Sequence, residues 1–596
     1  MLHRFSALLA RLPLLFDAGR LRVLARRSEI GLVVVAAVVG VIAGSAVSLM
    51  SFMSQSMHEA IFRLASGQRL SAVLEVDHSV LLVAPVIGGL LLGLMLWIMR
   101  RWRKKPMVDP IEANALHGGR LSLTDSILVA IQNIISNGFG ASVGLEAGYT
   151  QLSSGLASKI GLLLQLRRTD LRILVGCGAA GAIAAAFNAP LAGSFYAFEL
   201  IIGTYTIVSL APVVVSALVA TLVARLFIGN DFLIDIGEFG AVVPADYLPA
   251  ILLGVFCAGA GIVLMQGVSF IEETARKSSI SPLFRPALGG IIVGLMAMIT
   301  PQIMGAGHGA LHVNLEQQLP IAVLIGLLLL KSVASAVSIG SGFRGGLFFA
   351  SLFMGALLGK IFAFSVPFIF TGTTLTPVIY AVVGMSAMAV AVIGGPLTMT
   401  FLALEVTADF PITALALAAV IASSLTVRNT FGYSFATWRF HLRGESIRSA
   451  HDVGWIRNLT VGRLMRPDVR TATLGITTDE FRRDFLLGST QRVIMLDDSG
   501  KYAGMILVPE VYSAPVTDAD KTPDLSTFIK YRSDVLLPTM NAKQAAGIFD
   551  KLEAEALPVV NNQTERKVIG LLTESHTLRR YSEELDRRRR EVSGEL

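Results

Sequence analysis

Gly138-Phe139-Gly140-Ala141-Ser142-Val143-Gly144-Leu145-Glu146-Ala147-Gly148 places one carboxylate, Glu146, in a glycine-rich break within otherwise lipid-soluble sequence. Each glycine lets the backbone approach another group closely or adopt a conformation that other residues avoid. An ionisable group at membrane depth is costly, and by default it marks a functional site on an ion path. The bland reading is a structural glutamate that opens a helix at the membrane surface. The sequence on either side favours the first.

The chain has 596 residues, 53% of them hydrophobic, and a mean hydropathy of +0.65. A membrane-crossing helix takes about 20 apolar residues. Gly31 to Met53 and Ser79 to Met99 meet that length, and roughly ten further candidates follow before Val427. A polytopic helical membrane protein is expected. The formal net charge of +7 is concentrated at span ends rather than spread as a nucleic-acid surface. Arg20, Arg22, Arg26 and Arg27 precede the first span, and Arg100, Arg101, Arg103, Lys104 and Lys105 close the second. Short Lys/Arg-rich loops stay cytoplasmic, which puts the amino terminus and this loop inside. Residues 1–28 are expected to be an amphipathic lead against the membrane surface, closer to an uncleaved anchor than to a signal peptide. Cys177 and Cys257 lack partners at metal-site spacing and are read as packing residues.

The apolar runs are interrupted by Gly, Pro and Asn twice, at about 108–205 and about 320–428. Irregular backbone at that depth needs protein or water to satisfy it. The two regions resemble each other. Gly138–Leu145 matches Gly340–Leu347, and Ala189–Glu199 matches Gly395–Glu405. In both copies a glutamate follows a proline by nine residues, and the glycine loop precedes that proline by 52 and 56 residues. Paired broken segments in two halves are the mark of a transporter-type repeat with its site between them. Repeats of about 79–229 and 247–428 are expected. Helix starts inside a membrane protein carry free amides and a positive dipole end, so the two glycine loops suit a small desolvated anion. Glu146 can occupy an anion position and must leave it, or take a proton, before the ion passes.

The carboxyl-terminal part reads differently. A linker at 438–458 leads to soluble-looking sequence at 459–596, with two segments of one plan. Strands are expected at Arg492–Leu496, Ala503–Leu507, Leu557–Val560 and Val568–Leu572, with helices at Asn541–Leu552 and Thr577–Arg590. A small α/β pair fits. The run Arg587–Arg590 is read as a solvated face near anionic lipid.

These motifs resemble the CLC family of chloride channels and proton/chloride antiporters over nearly the whole chain. Gly144-Leu145-Glu146-Ala147-Gly148 stands where the family has its gating glutamate, and Phe187–Gly193 is the most specific match. The resemblance implies a polytopic all-α membrane domain of two structural repeats at 29–437, with paired cytoplasmic CBS domains at 459–596. It implies a homodimer, embedded in plasma-membrane lipid, that moves chloride or a similar anion; no enzyme motif, metal site or nucleic-acid partner is indicated. The anion site would comprise Gly144, Leu145, Glu146 and the amides of Leu347 and Phe348. Tyr433 would supply the coordinating hydroxyl, with Phe435 an equally defensible alignment.

The departures bear on mechanism. Met107 falls where the family places an anion-binding serine, so no hydroxyl is available there. Leu200 falls where antiporters of the family often carry a second, intracellular glutamate, one residue after Glu199. A leucine cannot relay a proton, which favours a passive channel; a proton-coupled antiporter is the alternative. In the CBS pair, Gly570–Thr573 fits the nucleotide signature, but His576 stands in place of the ribose-binding Asp. An adenine-nucleotide site at Thr573 and His576 and a purely structural dimerisation module are both open. Two other classes compete with anion transport: a cation-coupled organic-solute transporter, which would need polar side chains in both loops, and a membrane-anchored nucleotide sensor.

Overall fold

The computed structural model describes residues 29–102, 107–229, 242–369, 375–442, 459–513 and 524–593. The expected lead at 1–28 and residues 443–458 of the expected linker lie outside them. The described residues up to Leu442 form one compact unit, and those from Leu459 form another.

In the first unit the apolar runs close their backbone hydrogen bonds within helices, the arrangement that a lipid environment requires of an open chain. The first half runs α1 (Glu29–Phe62), α2 (His78–Trp102), α3 (Pro110–Leu116), α4 (Leu123–Gly138), α5 (Glu146–Leu163), α6 (Arg168–Phe187), α7 (Pro190–Tyr196) and α8 (Ile207–Ile228). The second half repeats the order with α9 (Tyr247–Lys277), α10 (Arg285–Ala297), α11 (His308–Glu316), α12 (Ile321–Ser341), α13 (Phe348–Ile369), α14 (Pro377–Ile393), α15 (Pro396–Thr407) and α16 (Phe410–Thr430). Helix by helix the correspondence starts at α1 and α9, so it reaches back to Glu29 rather than residue 79. α17 (Phe435–Leu442) follows and carries the unit five residues past 437. Among the described residues, eight helices are long and apolar enough to cross a membrane, and four shorter apolar ones accompany them. Three of the short ones lie in the interrupted regions and the fourth is Arg285–Ala297; Pro190 and Pro396 stand at the first helical position, where a missing N–H costs nothing.

The halves also pack alike. α1 lies against α8 as α9 lies against α16, α5 against α6 as α13 against α14, and α2 meets α10 across the halves. Small residues make these approaches close. Cys177 and Cys257 are fully buried in this packing and free of each other. The opposite faces carry exposed apolar side chains such as Phe52, Ile207, Leu226 and Val263.

The second unit repeats a smaller plan. β1 (Thr471–Thr473) pairs parallel with β2 (Arg492–Leu496), which pairs antiparallel with β3 (Tyr502–Leu507). Between β1 and β2 runs α18 (Thr478–Asp484), and α19 (Val508–Ser513) follows β3. In the other half Leu536 bridges Val559 in parallel, α20 (Ala542–Leu552) follows, and β4 (Ala556–Val560) pairs antiparallel with β5 (Val568–Thr573). α21 (Glu574–Ser593) closes the chain, three residues longer at each end than its expected span. The halves interlock through their leading segments: Arg466 bridges Leu571, and Lys530 bridges Met505.

Candidate functional site

α4 and α12 both end before a glycine loop, and α5 and α13 both begin after one. The two loops meet backbone to backbone. Gly144 and Gly346 form an antiparallel bridge, each amide donating to the other's carbonyl at 3.0 and 3.1 Å. Asn133 of α4 fastens this junction: its Nδ2 donates to the carbonyls of Gly144 (2.9 Å) and Arg344 (3.0 Å), and its Oδ1 accepts the Gly148 amide at 2.7 Å. Asn137 Nδ2 donates to the Val143 carbonyl at 2.7 Å and is itself held by Ser54. Buried amide side chains thus satisfy backbone that no helix can satisfy.

Glu146 is the first residue of α5 and is only 4% exposed. The amides of Glu146 itself and of Phe349, on α13, face its carboxylate. Its Oε2 is buried with no hydrogen-bond partner among the described residues. That oxygen lies over Gly144, where an added Cβ would come within 1.9 Å of it, so only glycine leaves the carboxylate room. Both helix starts present their positive ends here.

Lys331 on α12 is fully buried and its Nζ donates to Ser142 Oγ (3.0 Å) and to the carbonyls of Ile303 and Gly305 (2.9 Å each). Its ammonium is in electrostatic reach of Glu146 and binds the first half's loop to the second half. The signal for it was a lone lysine in the apolar run Ile321–Ser341, a residue type that is rare and functional at that depth.

Two cavities flank the junction. One, of about 700 Å³, is walled by residues 67 and 69–71 of the segment before α2, with His58, Arg69, Arg225 and His308. Glu146 is the one carboxylate on that wall among the described residues. The other, of about 810 Å³, is walled by residues 107–111, just after α2, with Tyr196, Leu200, Leu347 and Phe348. The cavities therefore lie toward opposite ends of α2, and Glu146 alone among the described residues lines both.

The expected site residues distribute around this point. Gly144 makes the bridge, Leu145 faces the first cavity, and Leu347, Phe348, Met107 and Leu200 face the second. Tyr433 stands elsewhere: its hydroxyl is 3.2 Å from His441 Nδ1 and its ring packs on Trp438. Of the two aligned aromatics, Phe435 is on the cavity wall. Two tyrosines passed over in the sequence share a wall with Glu146, Tyr149 in the first cavity and Tyr196 in the second.

Glu199 and Glu405 hold the halves together reciprocally. Glu199 accepts the amides of Leu397 and Thr398, both at 2.9 Å, at the start of α15. Glu405 accepts those of Leu191 (2.7 Å) and Ala192 (2.9 Å) at the start of α7. Each carboxylate satisfies the orphan donors of the other half's helix.

In the second unit the Thr573 carbonyl accepts the Thr577 hydroxyl at 2.9 Å. His576 sits beside Arg579; partial burial, then the nearby guanidiniums of Arg579, Arg466 and Arg580, hold its ring below the usual imidazole range. Glu510, the first segment's counterpart, is paired with Lys530 at 2.5 Å.

The sequence model of the voltage gated chloride channel family matches residues 88–428, more than half of the chain. The chain belongs to that family. A ClcB-like chloride channel protein of Ralstonia nicotianae is 32% identical over 358 residues, 59% of this chain and 82% of that protein. The voltage-gated ClC-type chloride channel ClcB of Escherichia coli is 28% identical over 396 residues, 66% and 94% of the two chains. Among solved structures, a slow cyanobacterial Cl⁻/H⁺ antiporter matches with a TM-score of 0.62 at 22% identity, over 69% of this chain and 97% of that one. A eukaryotic CLC transporter matches with a TM-score of 0.57 at 18% identity, over 91% of this chain and 97% of that one. The latter likeness covers more of the chain than the membrane unit can supply, so it extends into the C-terminal α/β unit.

Proposed function

We propose that this protein moves chloride, or an anion of similar size, across the membrane along a path that Glu146 divides. The observation that carries this is that, among the described residues, Glu146 alone lines both cavities, with one carboxylate oxygen buried and unbonded. The cationic wall of the first cavity draws an anion in. The amides of Leu347 and Phe348, with the start of α5, offer it donors at two helix starts. With Met107 in place of a hydroxyl and Tyr433 off the wall, the site is built on amides rather than on side-chain oxygens. The anion and the Glu146 carboxylate compete for one position, so the carboxylate swings away or is neutralised for each passage. A transporter role, not an enzyme's, follows.

Topology supports the orientation. The positive charge after α2 supports a cytoplasmic second cavity and an outward-facing first one, and the C-terminal unit is read as cytoplasmic. We propose a homodimer in the plasma membrane, with α/β segments at 459–596 acting as a paired CBS module. A structural role for that module is supported by the interlocked halves; an adenine nucleotide at Thr573 and His576 is supported by the arginines beside that ring. Equilibrium dialysis of the full chain with ATP separates the two. Leu200 favours passive conduction; proton-coupled exchange is favoured by the polar groups that share its wall.

The transport reading is tested by chloride efflux from liposomes containing the wild type or Glu146→Gln. Wild-type flux should rise as pH falls, because protonation strips the competing charge, and the variant should be fast and indifferent to pH. Absence of chloride flux in both proteins, or the same pH dependence in both, would contradict it.

A further inference from the structure

We propose that Asp109, Tyr196 and Thr150 form a proton path along the second cavity to Glu146, supplying what Leu200 lacks. The inference rests on Glu146 being the movable group on an anion path. All four polar residues and Leu200 line this one cavity. Thr150 stands one helical turn after Glu146 on the same face of α5, and its Oγ1 donates to the Glu146 carbonyl at 2.9 Å. Tyr196 shares this wall with Thr150, and its hydroxyl lies within electrostatic reach of both Asp109 and Glu146. Asp109 stands at the cytoplasmic end of this series, on the turn before α3. The order is therefore carboxylate, phenol, hydroxyl, carboxylate.

The transfer balances. A proton from water in the second cavity adds to the Asp109 carboxylate. Asp109 gives one to Tyr196 Oη as that oxygen releases its own toward Thr150 Oγ1, which in turn releases one, through cavity water, to the Glu146 carboxylate. Each hydroxyl gains one proton and loses one, so no charge is left on the path. Neutral Glu146 then gives up its position to the anion, and the proton leaves by the first cavity. Glu272, Glu273, Arg276, Arg285, Arg344 and Arg439 also line the second cavity, and Lys331 faces Glu146 from α12.

The bland alternative is that these residues are structural. Asp109 caps α3 by accepting the Ile111 amide at 2.8 Å, and the Tyr196 ring packs 6.1 Å from that of Phe348. Two conservative variants separate the roles. Asp109→Asn keeps a good N-cap but cannot carry the proton, and Tyr196→Phe keeps the ring but not the hydroxyl. The experiment uses the full chain in liposomes under a chloride gradient, recording chloride efflux and external pH together. Wild type should drive protons uphill as chloride leaves. Each variant should still release chloride, with a proton-to-chloride ratio lower by about tenfold or more, and Leu200→Glu added to Asp109→Asn should restore part of that ratio. Chloride efflux from wild type without proton movement would overturn the path, and so would wild-type ratios in both variants. No chloride efflux from wild type would fell the transport reading beneath it.

Discussion

In the first half of the membrane unit a glycine loop brings a carboxylate, Glu146, to the start of α5; in the second half the matching loop brings Phe348 to the start of α13. Elsewhere the halves exchange like for like, with Glu199 closing the start of α15 and Glu405 that of α7. Glu199 and Glu405 have backbone donors on both oxygens and are fixed. Glu146 keeps one oxygen without a donor and faces two cavities. A buried polar atom without a partner carries a desolvation penalty, so this asymmetry is what lets one carboxylate move while its symmetric relatives hold the scaffold.

The comparison breaks most sharply at the reciprocal glutamates. Glu199→Ala and Glu405→Ala each strand amides at a helix start, and each should cost about 2–4 kcal/mol, read as a lower unfolding temperature in detergent. A large loss from one and none from the other would show that the exchange is not symmetric. Lys331→Met leaves Ser142 and two carbonyls without their donor. It should cost about 1–3 kcal/mol and weaken chloride binding by about tenfold in calorimetry. Unchanged chloride affinity would confine Lys331 to the scaffold. At Gly345 an added Cβ would lie 2.4 Å from Val143 Cβ and 2.9 Å from the Gly144 carbonyl. Gly345→Ala should therefore pry the two loops apart at about 1–3 kcal/mol, with faster hydrogen exchange at the Gly144 and Gly346 amides as the readout.

The smallest effect lies in the C-terminal unit, whose halves both open a helix with a capping box, Thr477 with Glu480 and Asn541 with Gln544. Thr477→Ala and Asn541→Ala should each destabilise their helix by about 1 kcal/mol, visible as faster exchange in α18 or α20. Unequal effects would mean that the two halves do not share the load.

Much of this was legible in the sequence. Glycine and proline punctuate helices for steric reasons that need no tertiary context, so both loops and both Pro-to-Glu spacings stood out, as did the strands Arg492–Leu496 and Val568–Leu572. That Glu199 and Glu405 are matched positions of the two halves was also readable. That each glutamate serves the opposite half was not, because the contacts join residues about two hundred positions apart. The same limit hid Tyr196: its hydroxyl matters only because the fold brings it to the cavity wall that Glu146 shares, and nothing in Ser194-Phe195-Tyr196 announces that. Tyr433 looked suitable by alignment, yet local stacking with Trp438 and His441 holds it off the cavity wall. Lys331 did carry a visible signal, a charge within an apolar span, and the fold shows it to be bonded across the halves.

The account turns on Glu146 holding an anion's place, and anomalous diffraction from crystals of Glu146→Gln grown in bromide tests that directly. Bromide should appear where the Glu146 carboxylate now lies, against the Phe349 amide and between the two cavities. A glutamine amide in the carboxylate's position, with no bromide between the cavities, would contradict it.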